Sequence, residues 1–311
     1  MSSPQTPKSS FQEAILAAVS APPTDRYGVI GNPIAHSKSP TIHAAFAQQT
    51  GQLIRYDRIY AELIAFDETV MTFVREGGRG LNVTVPFKLD AYAMSTSLSL
   101  RAESAGAVNT LKFDGDEIFG DNTDGVGLMR DITHNIGNSL AGERVLLLGA
   151  GGAARGVLLP LLEHKPARVF IANRTADRAN KLVDRFEVSA KLHDAELVGG
   201  GYDELAADDV FDVIINATAS SLQAEVPPIP TTVFGPNALA YDMMYGPRPT
   251  VFMEFAKRNG ARAWDGLGML VEQAAESFFV WRGVRPDTAP VLLGMREGLQ
   301  GEAAVAARTQ R

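Results

Sequence analysis

Short apolar runs alternate with segments of helical spacing in the first third of the chain. The runs YGVIG, LIRYDRIY and GLNVTVP have the length and composition of β-strands. Residues 40–49, which begin with a proline and are followed by Gly51, have the pattern of a helix, and so does the segment DETVMTFVREG. Because strands that alternate with helices form parallel sheets, which bind ligands at the carboxyl ends of their strands, we expect a binding site there.

A hairpin is predicted in the stretch AGAVNTLKFDGDEIFGDNTDG. Asp114 and Gly115 have the chemistry of a tight turn between two short strands, with Asn109 on one side of the hairpin and Asp124 on the other. The next residues, NTDGVGLMRDI, predict a helix that starts near Asp124 and runs towards Ile136. This helix is expected to connect the first part of the chain to the second.

The segment ERVLLLGAGGAARGVLLPLL has the pattern of a strand, a glycine-rich turn and a helix. Gly149, Gly151 and Ala154 match the dinucleotide-binding fingerprint G-x-G-x-x-G/A. The first glycine turns the chain, the second admits a pyrophosphate, and the third position stays small for helix packing. A lone fingerprint can also be a turn without a ligand, but here a second strand, ARVFIAN, completes a βαβ unit.

The residues after this second strand indicate which dinucleotide is bound. An NAD site places an acidic residue about 20 positions past the fingerprint to hold the ribose 2′-hydroxyl. This chain has Asn173, Arg174 and Thr175 there, with Arg178 one helical turn further on. A cation and hydrogen-bond donors suit a 2′-phosphate, so the sequence predicts NADP as the cofactor.

The remaining pattern completes two α/β units. FDVIINAT and ALAYDMMY are predicted strands, and residues 250–259 a helix. Two final helices, within GLGMLVEQAAESFFVWRG and APVLLGMREGL, are expected to return to the first unit. We therefore expect an N-terminal α/β substrate domain with a mainly parallel sheet, a Rossmann-type NADP-binding domain, and a cleft between them. The predicted boundaries are a flexible extension over residues 1–25, a substrate domain over 26–123 completed by 266–311, and a nucleotide domain over 124–265.

Composition excludes several classes of function. A net charge of −7 without a basic cluster argues against a nucleic-acid partner. The chain has no cysteine, and its five histidines lack ligand spacing, so no metal site is expected. No apolar run approaches the ~18 residues of a membrane span, and FQEAILAAVS contains an acidic residue unsuited to a signal peptide. We expect a cytoplasmic protein.

Three polar sets follow predicted strands and are candidates for chemistry. They are Ser37 with Ser39; Asn82, Thr84 and Lys88; and Asn109 with Asp124. Hydroxyls and amides can bind a small hydroxylated or carboxylated molecule, and a lysine near a carboxylate can transfer a proton to a carbonyl oxygen. The alternatives are a solvated loop lysine and an aspartate that caps a helix. All five histidines, His43 included, are expected at the surface or in caps.

The motifs GNPIAHSKSP, NVTVPFK, AGAVNT, GDNTDGVG, GAGGAARGV, NRT, INAT, YDMMY and DGLGMLVEQAA occur together in this order. In this the sequence resembles the bacterial shikimate dehydrogenase family from about Tyr27 to the last helices. The resemblance implies a shikimate site with Asn82 as a neighbour, built from Ser37, Ser39, Thr84, Lys88, Asn109, Asp124, Tyr245 and Gln273. It implies an NADP site built from Gly149, Ala150, Gly151, Gly152, Ala153, Asn173, Arg174, Thr175, Arg178, Thr218, Met243 and Gly266.

The resemblance implies the NADPH-dependent, reversible reduction of 3-dehydroshikimate to shikimate, with Lys88 and Asp124 as the catalytic acid-base pair. The alternatives are a quinate/shikimate dehydrogenase and a non-catalytic NADPH or shikimate sensor. The sequence departs from the family at Ala219, Ser220, Ser221 and Leu222, where a serine and then a glycine are usual. The expected partner is a small-molecule substrate, and no binding to a membrane or to nucleic acid is expected. Whether the protein forms a homodimer is left open.

Overall fold

The computed structural model describes residues 24–206 and 208–309. The predicted FQEAILAAVS segment, and nearly all of the predicted extension, lie outside the described residues. The first part of the chain forms β1 (Asp25–Gly31), α1 (Ser39–Thr50), β2 (Ile54–Tyr60), α2 (Phe66–Arg75), β3 (Gly78–Val83), α3 (Lys88–Met94), β4 (Ser97–Leu98), α4 (Leu100–Ala105), β5 (Thr110–Asp114) and β6 (Glu117–Asp121).

These strands form one mixed sheet in the order β2-β1-β3-β5-β6-β4. β1 pairs in parallel with β2 and β3, while β5 and β6 form the predicted antiparallel hairpin. Gly115 in its turn has a φ of 58°, and Gly51 ends α1 with a φ of 65°, conformations that favour glycine. The predicted hairpin turn and the predicted end of the first helix at Gly51 are therefore confirmed.

The second part of the chain forms a sheet that is parallel throughout. Its elements are β7 (Arg144–Leu148), α6 (Gly152–Glu163), β8 (Arg168–Ala172), α7 (Ala176–Leu192), β9 (Glu196–Gly200), β10 (Phe211–Asn216), β11 (Phe234–Asp242), α8 (Val251–Arg258) and β12 (Arg262–Asp265). The order is β12-β11-β10-β7-β8-β9, so successive strands are added on one side of β7 as far as β9 and on its other side from β10 onwards. This is the doubly wound arrangement, and it confirms the predicted α/β class.

The helix α5 (Asp124–Arg130) connects the two sheets and continues as a π-helical turn, Asp131–Asn135. It packs closely against its neighbours on two sides because two of its residues have no side chain. A Cβ at Gly125 would lie 2.6 Å from the carbonyl oxygen of Gly156, and one at Gly127 would lie 2.7 Å from the backbone nitrogen of Gln273. Glycine at both positions allows α5 to lie between α6 and the later helix that carries Gln273.

Two C-terminal helices complete the first part: α9 (Leu267–Arg282) packs against the first sheet and α1, and α10 (Ala289–Thr309) packs against α9 and α1. Trp281 of α9 donates a hydrogen bond to the carbonyl oxygen of Leu111, at 2.9 Å. Phe278 joins Ile42 and Phe46 of α1 in a buried cluster. No helix among the described residues is long and apolar enough to cross a membrane.

The prediction that His43 lies at the surface or in a cap is wrong. Its exposed fraction is 0%. The imidazole stacks on the ring of Tyr56, with centroids 4.2 Å apart and planes at 9°. His43 occupies the face of α1 that is covered by α9, and this covering by a distant segment is not visible in the local pattern.

Candidate active site

A cavity of about 470 Å³ lies between the two sheets. Its lining residues include ones that follow the carboxyl ends of strands in both of them. We call it the central cavity. All eight residues predicted to bind the substrate line it, namely Ser37, Ser39, Thr84, Lys88, Asn109, Asp124, Tyr245 and Gln273. Met243 and Gly266, which were predicted for the cofactor, also line it. Residues from both predicted sets therefore meet in one space.

Ser37 and Ser39 lie in the turn between β1 and α1. Ser39 is the first residue of α1, and its backbone N–H donates to the Ser37 hydroxyl oxygen at 3.3 Å. The guanidinium of Arg58, on β2, donates twice to the carbonyl oxygen of Ser37, at 2.9 and 2.6 Å. This turn is thus held from the neighbouring strand, and it presents two hydroxyls to the cavity.

Lys88 and Asp124 form an ion pair, with 2.5 Å between Nζ and Oδ2. Lys88 begins α3 immediately after the loop that contains Thr84, whose backbone N–H donates to the carbonyl of Ile30 on β1 at 3.0 Å. Asp124 begins α5. The side chains of Lys88 and Asp124 are 29% and 13% exposed, so the pair borders the cavity without being open to bulk water.

Asn109 supports the second oxygen of the same carboxylate. Its Nδ2 donates to Asp124 Oδ1 at 2.8 Å, and its Oδ1 accepts from the backbone N–H of Thr123 at 2.9 Å. A backbone N–H can only donate and a carboxylate can only accept, so the orientation of the Asn109 amide is fixed. Each oxygen of Asp124 therefore has its own donor, Lys88 for one and Asn109 for the other.

Tyr245 and Gln273 also line the cavity, and Gln273 lies beside Asn109, whose Nδ2 is 3.4 Å from Gln273 Oε1. Gln273 Nε2 donates to the carbonyl oxygen of Leu270 at 3.0 Å, and its Oε1 accepts from the hydroxyl of Thr123 at 3.3 Å. Burial, together with the negative charges of Asp265 and Glu302, raises the pKa of Tyr245. The Tyr245 hydroxyl is therefore protonated and available as a donor at neutral pH.

The glycine-rich turn has the geometry that a dinucleotide requires. Gly149 has a φ of 103°, and an added Cβ there would lie 3.1 Å from the Thr218 side chain. At Gly151 and Gly152 an added Cβ would meet nothing within 4 Å, and α6 begins at Gly152 with no side-chain cap. The turn from Gly149 through Ala150, Gly151, Gly152 and Ala153 thus leaves open space at a helix amino terminus, which fits a pyrophosphate.

A second cavity, of about 330 Å³, adjoins this turn and is lined by Asn173, Arg174 and Thr218. Thr175 and Arg178 do not line it; Thr175 precedes α7 without a side-chain capping bond, and its carbonyl accepts from Asn173 Nδ2 at 2.9 Å. Arg174 thus contributes a cation to the wall of this cavity. Ala219 and Ser220, at the departure from the family, line the same cavity and begin a 3₁₀ turn, Ser220–Gln223.

Met243 and Gly266 line the central cavity and directly follow β11 and β12 of the second sheet. An added Cβ at Gly266 would lie 2.2 Å from the carbonyl oxygen of Met243, so only glycine allows these segments to approach. Behind them the buried carboxylate of Asp242 accepts from the hydroxyls of Ser221 and Thr250, each at 2.6 Å. Burial raises the pKa of Asp242, although the hydrogen bonds from these two hydroxyls act to lower it.

Sequence reasoning missed Tyr56 and Ser277, which contact the lining residue Asn82. Tyr56 O–H donates to Asn82 Oδ1 at 2.7 Å, and Asn82 Nδ2 donates to Ser277 Oγ at 2.9 Å. The only sequence signal for Ser277 is a small polar residue one turn after Gln273 on an apolar helix. In the part of the chain that the structure describes, no group of three or more metal-ligating side chains is arranged to hold an ion.

Three family patterns match the chain. They are the shikimate dehydrogenase substrate binding domain over residues 29–111, shikimate/quinate 5-dehydrogenase over 131–224, and the shikimate 5′-dehydrogenase C-terminal domain over 266–292. The shikimate dehydrogenase (NADP⁺) of Cupriavidus taiwanensis is 59% identical over 281 residues, 89% of this chain and 95% of that one. The enzyme of that name from a Janthinobacterium species is 60% identical over 276 residues, 89% and 98%.

Solved structures agree with these matches. An Ael1 enzyme from Pseudomonas putida is 47% identical with a TM-score of 0.82, over 87% of this chain and 97% of that one. Shikimate 5-dehydrogenase from Thermus thermophilus, in complex with NADP(H) and shikimate, is 32% identical with a TM-score of 0.75, over 89% and 98%. By sequence identity, coverage and fold, this chain belongs to the shikimate dehydrogenase family.

Proposed function

We propose that this protein catalyses the reversible, NADPH-dependent reduction of 3-dehydroshikimate to shikimate, on the route to chorismate and the aromatic amino acids. The observation that carries the proposal is the Lys88–Asp124 ion pair inside a cavity lined with hydroxyls and amides, beside an NADP-type turn. A hydroxylated carboxylate such as shikimate needs donors and acceptors from several loops, and this cavity provides them from both sheets.

Lys88 and Asp124 are assigned the proton transfer. NADPH, when bound, supplies the hydride to the carbonyl carbon. Lys88 Nζ donates a proton to the carbonyl oxygen as that carbon is reduced, and accepts it again in the reverse reaction. Asp124 orients the ammonium through the 2.5 Å contact, and Asn109 fixes the carboxylate from its other oxygen.

The other polar residues are assigned to substrate binding. Ser37, Ser39 and Tyr245 are assigned to the carboxylate, because each brings a hydroxyl to the cavity wall that can donate a hydrogen bond to a carboxylate oxygen. Thr84, Asn109 and Gln273 bind ring hydroxyls together with the catalytic pair. All of these side chains line the central cavity, which supports the assignment.

The nucleotide is assigned to the second sheet. Residues 149–153 hold the pyrophosphate, Arg174 and Arg178 neutralise the 2′-phosphate, and Asn173, Thr175 and Thr218 border the adenosine part. Met243 and Gly266 lie beside the nicotinamide, since they line the central cavity together with the substrate set. The open space in front of Gly151 and the cation at Arg174 support this placement.

We also propose the division of the chain into a substrate domain, residues 26–123 with 266–311, and a nucleotide domain, residues 124–265. The two sheets and the packing of α9 on the first of them support it. A cytoplasmic location is proposed because NADPH is supplied there. Sedimentation velocity measures directly whether two copies form a homodimer.

The test of the activity is a panel assay that follows the absorbance of the reduced cofactor. Shikimate and quinate are each offered with NADP⁺ and with NAD⁺. The highest kcat/KM is expected for shikimate with NADP⁺. Equal efficiency with quinate would indicate a quinate/shikimate dehydrogenase, and tight binding of shikimate and NADPH without turnover would indicate a sensor.

A further inference from the structure

Asn82 lies at the buried side of the central cavity, and both ends of its amide are held by the protein. The residue is 6% exposed and lines the cavity at the end of β3. Its Oδ1 accepts from the Tyr56 hydroxyl at 2.7 Å. Its Nδ2 donates to Ser277 Oγ at 2.9 Å and to Thr110 Oγ1 at 3.3 Å. Three elements other than β3 therefore determine how this amide is oriented.

The hydrogen-bonding capacity that Asn82 has left is limited to one kind. An amide has two N–H donors and an oxygen with two lone pairs. Both N–H groups are directed at Ser277 and Thr110, inside the protein, and one lone pair of Oδ1 is used by Tyr56. What remains is the second lone pair of Oδ1. In this orientation Asn82 can accept a hydrogen bond from a ligand hydroxyl, but it has no N–H free to donate.

The position of Tyr56 is fixed by aromatic packing. Its ring stacks on the fully buried His43, with centroids 4.2 Å apart, and lies beside Trp281 at 6.3 Å. Neither ring nitrogen of His43 has a hydrogen-bond partner among the described residues, so the imidazole acts as a flat platform. Burial of the Tyr56 hydroxyl raises its pKa well above the usual value, and it therefore stays protonated as a donor.

Ser277 holds the other end of the amide from α9. It is fully buried, and its hydroxyl donates to the carbonyl oxygen of Gln273, one turn earlier, at 3.0 Å. Because that bond uses its only proton, the oxygen is an acceptor towards Asn82 Nδ2. The Thr110 hydroxyl lies 2.8 Å from the same oxygen. Ser277 thus connects the helix that carries Gln273 to the strands that carry Asn82 and Asn109.

We propose that Tyr56 and Ser277 are positioning residues that together orient Asn82 so that it accepts a hydrogen bond from a ring hydroxyl of the substrate. This inference rests on the proposed function, because the ring hydroxyls are those of shikimate. Neither residue contacts the reacting atoms. Because Ser277 Oγ also lies 2.8 Å from Thr110 Oγ1 and 3.1 Å from Thr123 Oγ1, a double-mutant cycle is needed to isolate the effect that depends on Asn82 and to separate a positioning role from a general contribution to stability.

The test is a pair of double-mutant cycles on the full-length protein, with shikimate as the probe. Tyr56→Phe and Ser277→Ala each remove one hydroxyl, and each is expected to raise the Kd for shikimate, measured by calorimetry, by about 5- to 10-fold. The Kd for NADP⁺ is expected to be unchanged. In an Asn82→Ala background, neither substitution should raise the shikimate Kd further, because the group that each one orients is already absent.

Tyr27→Phe is the matched control. Tyr27 is also a buried tyrosine of the first sheet; it stacks on Trp281, and its hydroxyl accepts from Arg282 away from Asn82. Its removal should leave the shikimate Kd unchanged. Effects of Tyr56→Phe and Ser277→Ala that persist in the Asn82→Ala background, or that equal that of Tyr27→Phe, overturn the inference. A wild-type protein that neither binds nor oxidises shikimate overturns the proposed function instead.

Discussion

Replacing His43 with phenylalanine should reduce the loss of stability on acidification. His43 is fully buried, and burial lowers its pKa from 6.5 to about 3. Between these two values the unfolded chain binds a proton on this residue that the folded protein does not bind. The contribution of His43 to the free energy of unfolding is therefore constant above the upper value and decreases as the pH falls below it.

The expected slope is about 1.4 kcal/mol per pH unit. At about pH 5 the loss reaches roughly 2 kcal/mol, and over the whole window it reaches about 5 kcal/mol. Phenylalanine has no group that titrates in this range and keeps an aromatic ring against Tyr56 and Phe278. The variant should thus lack this slope, while every other titrating group contributes to both proteins alike.

The assay is urea unfolding of wild type and His43→Phe at several values between about pH 7 and pH 5. The comparison uses the difference in slope, which is independent of any constant effect of the larger ring. His134→Phe is the control for the loss of a histidine, because His134 is exposed. Equal slopes in wild type and His43→Phe, or an NMR titration of His43 near its ordinary pKa in the folded protein, would refute the reasoning.

Three further predictions concern the proposed site. Lys88→Ala should lower kcat by roughly 10²-fold or more with a smaller change in KM, and near-normal kcat would end the acid-base assignment. Arg174→Asp should raise the Kd for NADP⁺ far more than that for NAD⁺, and an unchanged ratio would place the 2′-phosphate elsewhere. Ser37→Ala and Ser39→Ala should each cost about 1.5 to 3 kcal/mol in shikimate binding, seen in KM with the Kd for NADPH spared. Thr84→Val, which should lose a contact with a ring hydroxyl, is the comparison variant. An unchanged KM for shikimate in both serine variants would show that the carboxylate binds elsewhere.

The local signals of the sequence predict the elements that a few neighbouring residues determine. The glycine turn at Gly149, the hairpin turn at Gly115 and the end of α1 at Gly51 all require a positive φ, and the structure has one at each. The alternation of strands and helices predicted both sheets, because periodicity reports which face of each element is buried. The polar residues at strand ends were predictable for the same reason, since the carboxyl ends of parallel strands converge.

Contacts between distant segments could not be predicted in this way. Asn82 and Ser277 are 195 positions apart, and their hydrogen bond exists only because α9 returns to the first sheet. The burial of His43 has the same origin, since the covering ring of Phe278 belongs to α9. No periodicity in the segment around Asn82 or His43 contains this information.

The position of Asp124 explains how the two sheets can share one site. Asp124 is the first residue of the helix that joins them, and its carboxylate is held by Lys88 and Asn109 from the first sheet. The same helix is fixed against α6 of the nucleotide sheet at Gly125 and against α9 at Gly127, where any side chain would clash with backbone atoms. Asp124, at the start of this helix, is therefore placed by close packing against helices of both sheets. Because the carboxylate contacts Lys88, the proposed proton donor is positioned by the same packing that places α6, the helix that follows the proposed nucleotide turn.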